Sequence, residues 1–178
     1  MTVVLYDLVG ANDQRFSPHC WRVRMALAHK GLPCEARATR FCDVPTVGGG
    51  RFKTIPVIED RGELIGDSWT IAQYLEEAYP DLPSLFSGHG GQELTRFVQS
   101  WCVGVLHAGL APLIMLDIFE QLVAEDQPQF RASREARFGR SLEEVQAGRE
   151  ARLEGFRNSM EPLRRTLQGV AYLGGDGP

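Results

Sequence analysis

Cysteine is scarce and carries no pairing pattern: Cys20, Cys34, Cys42 and Cys102 form no CxxC and stand at no ligand spacing from a histidine. Disulfides and a zinc site are therefore not expected, and free thiols in a reducing cytosol with no bound metal are the simplest reading. Runs of like charge are missing too, and a net charge of -4 offers no basic face to nucleic acid and no polybasic anchor to a membrane. Small neutral or weakly acidic partners are the class left. No apolar stretch reaches the roughly 20 residues that cross a bilayer. The longest, Trp101–Leu116, contains His107 and Pro112 and reads as a buried helix kinked at the proline. The opening residues, MTVVLYDLVGANDQ, lack the basic start, long apolar centre and small-residue cleavage site of a secretory signal, so a cytoplasmic location is expected. Repeats and low-complexity tracts are absent.

What is present suffices for a core: 178 residues, 43% of them hydrophobic, leave room for one large or two small domains. Thr2–Tyr6 is apolar on both alternate sets and reads as a strand covered on both faces, as in a central parallel sheet. After a polar loop, Ser17 is placed to cap a helix with Pro18 at its first position. The helix presents Trp21, Met25 and Ala28, with Val23 and Leu27 alongside, as its apolar face, leaves Arg22, Arg24, His29 and Lys30 on the other, and ends at Gly31. Cys34–Thr39 is the second strand of a βαβ unit. A glycine-rich loop, Gly48-Gly49-Gly50, leads past Arg51 and Lys53 to Pro56–Asp60, the turn Arg61-Gly62 and Glu63–Gly66, which read as a hairpin. Asp67 and Ser68 then precede apolar residues Trp69, Ala72, Leu75 and Tyr79 at helical spacing, with Asp67 as N-cap.

Tyr79–Pro83 and Ser87–Gly91 are rich in breakers, which places a boundary near residue 85. Beyond it the pattern is helical only. Glu93–Val123 reads as one kinked helix or two with the broad apolar surface of a buried element, and Leu142–Leu167 as a helical stretch interrupted at Pro162. The series Arg131, Arg134, Arg137 and Arg140 reads as a solvated face rather than a nucleic-acid stripe, given the acidic residues that follow it.

The stretch from Lys53 to Tyr79 carries the densest chemistry. The helix start at Asp67-Ser68 offers free N–H groups, a positive dipole end, a carboxylate and a hydroxyl, which together suit a small zwitterion. Upstream, Ile55-Pro56 opens a strand with a residue that has no N–H, leaving Val57 able to pair with an extended peptide ligand. An ordinary capped helix and an ordinary strand-starting proline account for each part taken singly.

The βαβ-loop-ββα order, the Ser17-Pro18 helix start, the Ile55-Pro-Val-Ile strand, the Asp67-Ser68 helix start and an all-helical second half together resemble the cytosolic glutathione transferases. The resemblance runs the length of the chain and implies an α/β plus all-α fold, with a thioredoxin-like domain over 1–80 and a helical domain over 90–178. Ser17-Pro-His-Cys-Trp-Arg-Val-Arg is similar to serine-type members and to the zeta class, which includes maleylacetoacetate isomerases. Ser141–Glu150, Glu161–Arg165, Tyr172–Asp176 and Pro56–Asp81 are similar to bacterial glutathione-dependent β-etherases.

That resemblance implies roles. Ile55-Pro56 would be a cis bond presenting Val57 to the cysteinyl part of glutathione; Ser68 would take the γ-glutamyl carboxylate, Asp67 the amino group, and Lys53, with Arg51 a weaker candidate, the glycyl carboxylate. Ser17 would donate to the glutathione sulfur and favour thiolate, which attacks an electrophilic carbon in transfer or β-aryl ether cleavage; isomerase-like use of glutathione and a non-catalytic glutathione-binding or interaction protein are the alternatives. Ser17-Pro-His-Cys20 also resembles a glutaredoxin motif without its leading cysteine, so Cys20 reads as a packed residue and His19 has no role. A hydrophobic second-substrate site would draw on Trp101, His107 and Met115, although an aromatic and methionine set on an apolar helix is more often core. Glutathione as co-substrate, a small hydrophobic electrophile and a homodimer or larger assembly are the partners implied. The family continues past a Leu-Gly-Gly-Asp stretch like that at 173–176 into a buried helix, whereas this sequence stops at Pro178; exposed apolar surface over 93–123 and self-association are therefore expected.

Overall fold

Branched residues in Val3–Leu8 form strand β1, and Pro18–His29 forms helix α1. Cys34–Thr39 makes β2, Val57–Asp60 β3, Glu63–Gly66 β4 and Ser68–Ala78 α2. The sheet order is β2-β1-β3-β4, with β1 parallel to β2 and antiparallel to β3. This is the thioredoxin-like arrangement. The computed structural model describes residues 2–86 and 88–174; Ser87 of the linker and residues 175–178, which include part of the Leu-Gly-Gly-Asp stretch, lie outside the described residues.

Three expectations about the first elements change. β1 is central, yet its burial alternates: Val3 and Leu5 are fully buried while Val4 and Tyr6 are half-exposed, so one face packs on helices and the other is polar. On that polar face Arg37 donates to the Tyr6 hydroxyl at 3.0 Å and lies over its ring. In α1 the buried set is Cys20, Val23 and Leu27, and Trp21 and Met25 are 45% and 57% exposed. Both sets obey helical spacing; the path of the chain from β1 into α1 chooses between them. Lys30, assigned to the solvated side, is buried instead, its Nζ on Glu76 at 2.7 Å and on the Tyr79 carbonyl at 3.2 Å. Val3, Leu5, Val23, Leu27, Ile58, Ile71 and Leu75 form the core between sheet and helices. In the loop after β2, 3-10 turns begin at Phe41 and are broken at Val47, Gly48 and Gly49, where the two glycines take positive φ.

The chain divides into two compact units, Met1–Leu85 with Phe119–Ala132, and Phe86–Ile118 with Ser133–Pro178. Within the first unit, the segment contributed from the second half carries buried Leu122, Asp126 and Phe130. Asp126 Oδ1 accepts the Cys42 N–H at 2.9 Å, and the Phe130 ring meets Phe41 edge-on with centroids 5.4 Å apart. Phe41 in turn stacks on Phe16.

The second unit is helical. Gly91–Trp101 (α3), a π-helical turn Cys102–His107 and Ala108–Glu120 (α4) form one 30-residue helix that is long and apolar enough to cross a membrane by length and composition. The expected irregularity at Pro112 is displaced. Proline crowds the carbonyl four residues back, and the widened turn sits directly before that residue, Ala108. Burial is the larger correction. None of α3 is buried, Leu94 and Phe97 are 67% and 69% exposed, and only Leu113 and Met115 of α4 are buried.

Gln127–Phe138 (α5) begins in the segment of the first unit and ends in the second, which Leu142–Gln146 (α6), Arg149–Ser159 (α7) and Glu161–Gly169 (α8) complete. Pro162 begins α8 rather than interrupting a longer helix. A capping box joins Ser141 and Glu144. Arg149 pairs with Asp117 at 2.5 Å as well as with Glu150 on its own helix, and Arg152 donates to the Val145 and Ala147 carbonyls, so these arginines also tie α7 to its neighbours. The arginine series is not uniformly solvated either: Arg131 lies over the Phe119 ring.

Candidate functional site

One row of strand register organises the site. Tyr6 of β1, Val57 of β3 and Gly66 of β4 are in register across the sheet. The end of β1, the start of β3 and the end of β4 therefore share one end of the sheet. The chain leaves β1 there to reach Ser17 and α1, enters β3 through Ile55-Pro56, and leaves β4 through Asp67 into α2. Two helix N-termini thus open at the same sheet end, and both place N–H groups and positive dipole ends where an anionic ligand would lie.

Ser17 is 7% exposed and caps α1, its Oγ accepting the Cys20 N–H at 3.3 Å. A hydroxyl has one proton to donate besides its acceptor lone pairs. The cap uses a lone pair, and the O–H lies within reach of the Cys20 thiol, so the cap itself leaves the hydroxyl able to turn its one proton from that buried sulfur to a ligand. Cys20 is buried beneath it. Burial first, then the Asp7 carboxylate, push its thiol up to about 11, against the Leu8 backbone and the Ser17 hydroxyl, which act the other way. Such a thiol stays protonated and unreactive.

The Ile55-Pro56 bond is cis. Val57, however, is fully buried and has register partners on both sides. The N–H and C=O of one strand residue point to the same side, so an added strand finds no vacant edge at Val57. The register of β3 begins at Val57, and Ile55, ahead of the cis bond, lies outside it.

Asp67 is an exposed N-cap whose Oδ1 accepts from the Trp69 and Thr70 N–H groups, both at 3.0 Å. Its φ of 71° and ψ of 126° are rare for a residue with a Cβ. Ser68, next to it, is buried. Lys53 is exposed in the loop ahead of Ile55, and Arg51 lies over the Phe52 ring. Phe52 covers Gly66 so closely that a Cβ there would meet its ring at 2.6 Å, which explains a glycine at the last position of β4.

Of the second-substrate candidates, Trp101 lines a groove of about 250 Å³ in the helical unit, with Phe97, Val98, Pro162, Leu163, Thr166 and Leu173. His107 is half-buried in the π turn, and Met115 is buried in the unit's own core, as a plain core residue would be. Among the described residues there is no group of His, Cys, Asp and Glu that could hold a metal ion.

Sequence reading missed Asp7. This strand residue is buried and takes Arg15 Nη1 at 3.0 Å and Arg24 Nη2 at 2.6 Å. An acid inside an otherwise apolar strand, with an arginine on the following loop, was the signal available.

Comparison with known proteins agrees with the fold. The glutathione S-transferase N-terminal domain matches residues 13–84 and the glutathione S-transferase C-terminal domain residues 94–178. A crystal structure of a glutathione transferase from Phanerochaete chrysosporium superposes with a TM-score of 0.82 at 30% identity, covering 100% of this chain and 79% of that one. A glutathione S-transferase of Ceriporiopsis subvermispora, solved in complex with glutathione, superposes at 0.84 with 26% identity, covering 99% and 79%. The chain belongs to the glutathione S-transferase superfamily.

Among curated relatives, a maleylacetoacetate isomerase of Dictyostelium discoideum is 33% identical over 87 residues, covering 43% of this chain and 38% of its own. That of Rattus norvegicus is 29% identical over 117 residues, covering 60% and 51%. The chain thus spans about half or less of these two isomerases.

Proposed function

We propose that this chain binds glutathione at the sheet end between the N-termini of α1 and α2 and uses Ser17 to activate its thiol for attack on a small hydrophobic electrophile. The carrying observation is the buried Ser17 hydroxyl at a helix N-terminus, whose lone pair, not its proton, is what caps the helix. A donor and a dipole aimed at sulfur both favour thiolate, and a fall in thiol pKa from about 8.5 to about 7, worth about 2 kcal/mol, makes about half of the bound thiol reactive at neutrality. Thiolate then attacks the electrophilic carbon of the second substrate. Asp67 and Ser68 hold the γ-glutamyl end, Ile55 the cysteinyl main chain and Lys53 the glycyl carboxylate. The Ceriporiopsis relative solved with glutathione supports the ligand.

β-Aryl ether cleavage is the transfer reaction that the sequence resemblance suggests. Isomerisation with glutathione returned unchanged is the second reading, favoured by the two maleylacetoacetate isomerases matched. Mass balance separates them, since only transfer consumes glutathione into a thioether.

The test compares Ser17→Ala with Cys20→Ala, following thiolate absorbance of bound glutathione against pH and turnover of an activated aryl electrophile. Ser17→Ala raises the thiol pKa and slows turnover at least tenfold; Cys20→Ala changes little. The reverse pattern would make Cys20 the chemical residue and sink this reading.

A further inference from the structure

Asp7 accepts two hydrogen bonds inside the first unit, from Arg15 Nη1 at 3.0 Å and Arg24 Nε at 2.7 Å, and Arg24 Nη2 lies 2.6 Å from the same oxygen as an ion pair. The two arginines flank Ser17 in sequence, Arg15 on the loop before it and Arg24 on α1 after it. Arg15 is held further by Asp13, and its own carbonyl accepts the Trp21 indole N–H at 2.7 Å. The loop that delivers Ser17 is thus tied both to the end of β1 and to the helix it enters. A buried carboxylate paired in this way contributes little net stability compared with apolar packing, but removing one partner is costly, so its main effect is to define geometry.

The other ionisable groups facing Asp7 are few. Cys20 from α1 and Cys34 from β2 both feel its charge, and Asp13 reaches it through Arg15. Burial comes first in raising both thiols.

Resting on the reading of Ser17 as the thiol-activating group, we propose that Asp7 is a positioning residue: through Arg15 and Arg24 it fixes the approach to α1 so that the Ser17 hydroxyl points at the ligand sulfur. Charge and positioning oppose each other here, which makes the idea testable by sign. A negative Asp7 near a thiolate disfavours it, so neutralising Asp7 would lower the bound thiol pKa if charge were its only influence. Loss of positioning raises it.

The experiment follows thiolate absorbance of glutathione bound to the full chain against pH, with affinity measured by calorimetry, for the parent, Asp7→Asn, Arg15→Gln and Arg15→Lys. Asp7→Asn and Arg15→Gln each move the midpoint up by about 0.5–1 pH unit, toward the free-thiol value, while the dissociation constant changes less than about twofold because the γ-glutamyl contacts are untouched. Arg15→Lys restores part of the shift. A midpoint that stays put or falls in Asp7→Asn overturns the proposal whatever Arg15→Gln does, because loss of the Arg15 cation raises a thiolate pKa by charge alone. Should Asp7→Asn fail to fold, Asp7→Glu decides, since it keeps the charge and displaces the carboxylate, so that a rise in midpoint reports lost positioning and an unchanged midpoint overturns the proposal. A parent complex without a lowered thiol pKa removes the Ser17 reading and this inference together; a lowered parent value with unshifted variants removes only Asp7.

Discussion

The Ala11 N–H donates to the Gln121 carbonyl at 2.8 Å, joining the loop that leads to Ser17 to a segment more than 100 residues away in sequence. The neighbouring Gly10 makes the contact possible, because a Cβ on it would lie 2.7 Å from that same carbonyl and 3.0 Å from the Phe16 ring. Backbone cannot yield as a flexible side chain can. Gly10→Ala therefore costs about 1–3 kcal/mol, in the range of other overpacking changes, measured by urea denaturation, and it lowers turnover because the loop must shift. An unchanged midpoint of unfolding would show that the loop and the 119–132 segment separate freely.

Asp67 combines a cap, a charge and an unusual backbone, and three substitutions separate them. Asp67→Asn keeps the cap and stays within about 0.5 kcal/mol of the parent in stability, whereas Asp67→Ala loses about 1 kcal/mol. Asp67→Gly relaxes the positive φ and so offsets the lost cap. All three weaken glutathione binding, by roughly tenfold as expected for loss of a charge-assisted partner. Calorimetry showing equal affinity for Asp67→Asn would leave Asp67 as a cap alone.

Lys30 and Glu76 form a largely buried pair, and Glu76 also accepts the Leu85 N–H at 2.9 Å and the Ser84 hydroxyl at 2.6 Å. Burial pushes the Glu76 carboxyl up, but these donors and Lys30 outweigh it and hold it below its ordinary value of 4.5. A carboxyl whose folded pKa is depressed adds stability above its unfolded pKa and loses it as pH falls through the folded value. Glu76→Gln should therefore destabilise by about 2–4 kcal/mol near neutrality, and the difference from the parent should shrink below about pH 4. Thermal melts across that range check it; a gap independent of pH would remove the pair from the acid response.

Leu94 and Phe97 of α3 and Leu167 of α8 leave an apolar face open on the helical unit. Contiguous apolar surface of this kind is commonly covered by association. The 178-residue chain should self-associate at micromolar concentration. Phe97→Glu should reduce that while changing unfolding free energy by less than about 0.5 kcal/mol, as for other exposed positions. Sedimentation of a parent chain that stays monomeric would refute the association.

Local chemistry was readable in the residues themselves. Asp67 before an apolar helical pattern, Ser17 before Pro18, the Arg61-Gly62 turn and the breakers near residue 85 each act over a few residues, so caps, the hairpin and the thioredoxin-like order could be taken from sequence. Long-range choices could not. Cys20–Val23–Leu27 and Trp21–Met25–Ala28 satisfy the same helical period, and only the packing of α1 on the sheet buries the first set. The register row Tyr6–Val57–Gly66 gives Val57 strand partners on both sides and leaves Ile55 outside the sheet register. Asp7 with Arg15 and Arg24, and the return of Phe119–Ala132 to the first unit, depend on contacts between distant residues whose entropy cost is met only when the whole unit closes. Sequence determined which residues could cap, turn and donate; tertiary structure decided which of them meet, because periodicity limits a side chain to a face but does not select the partner opposite it.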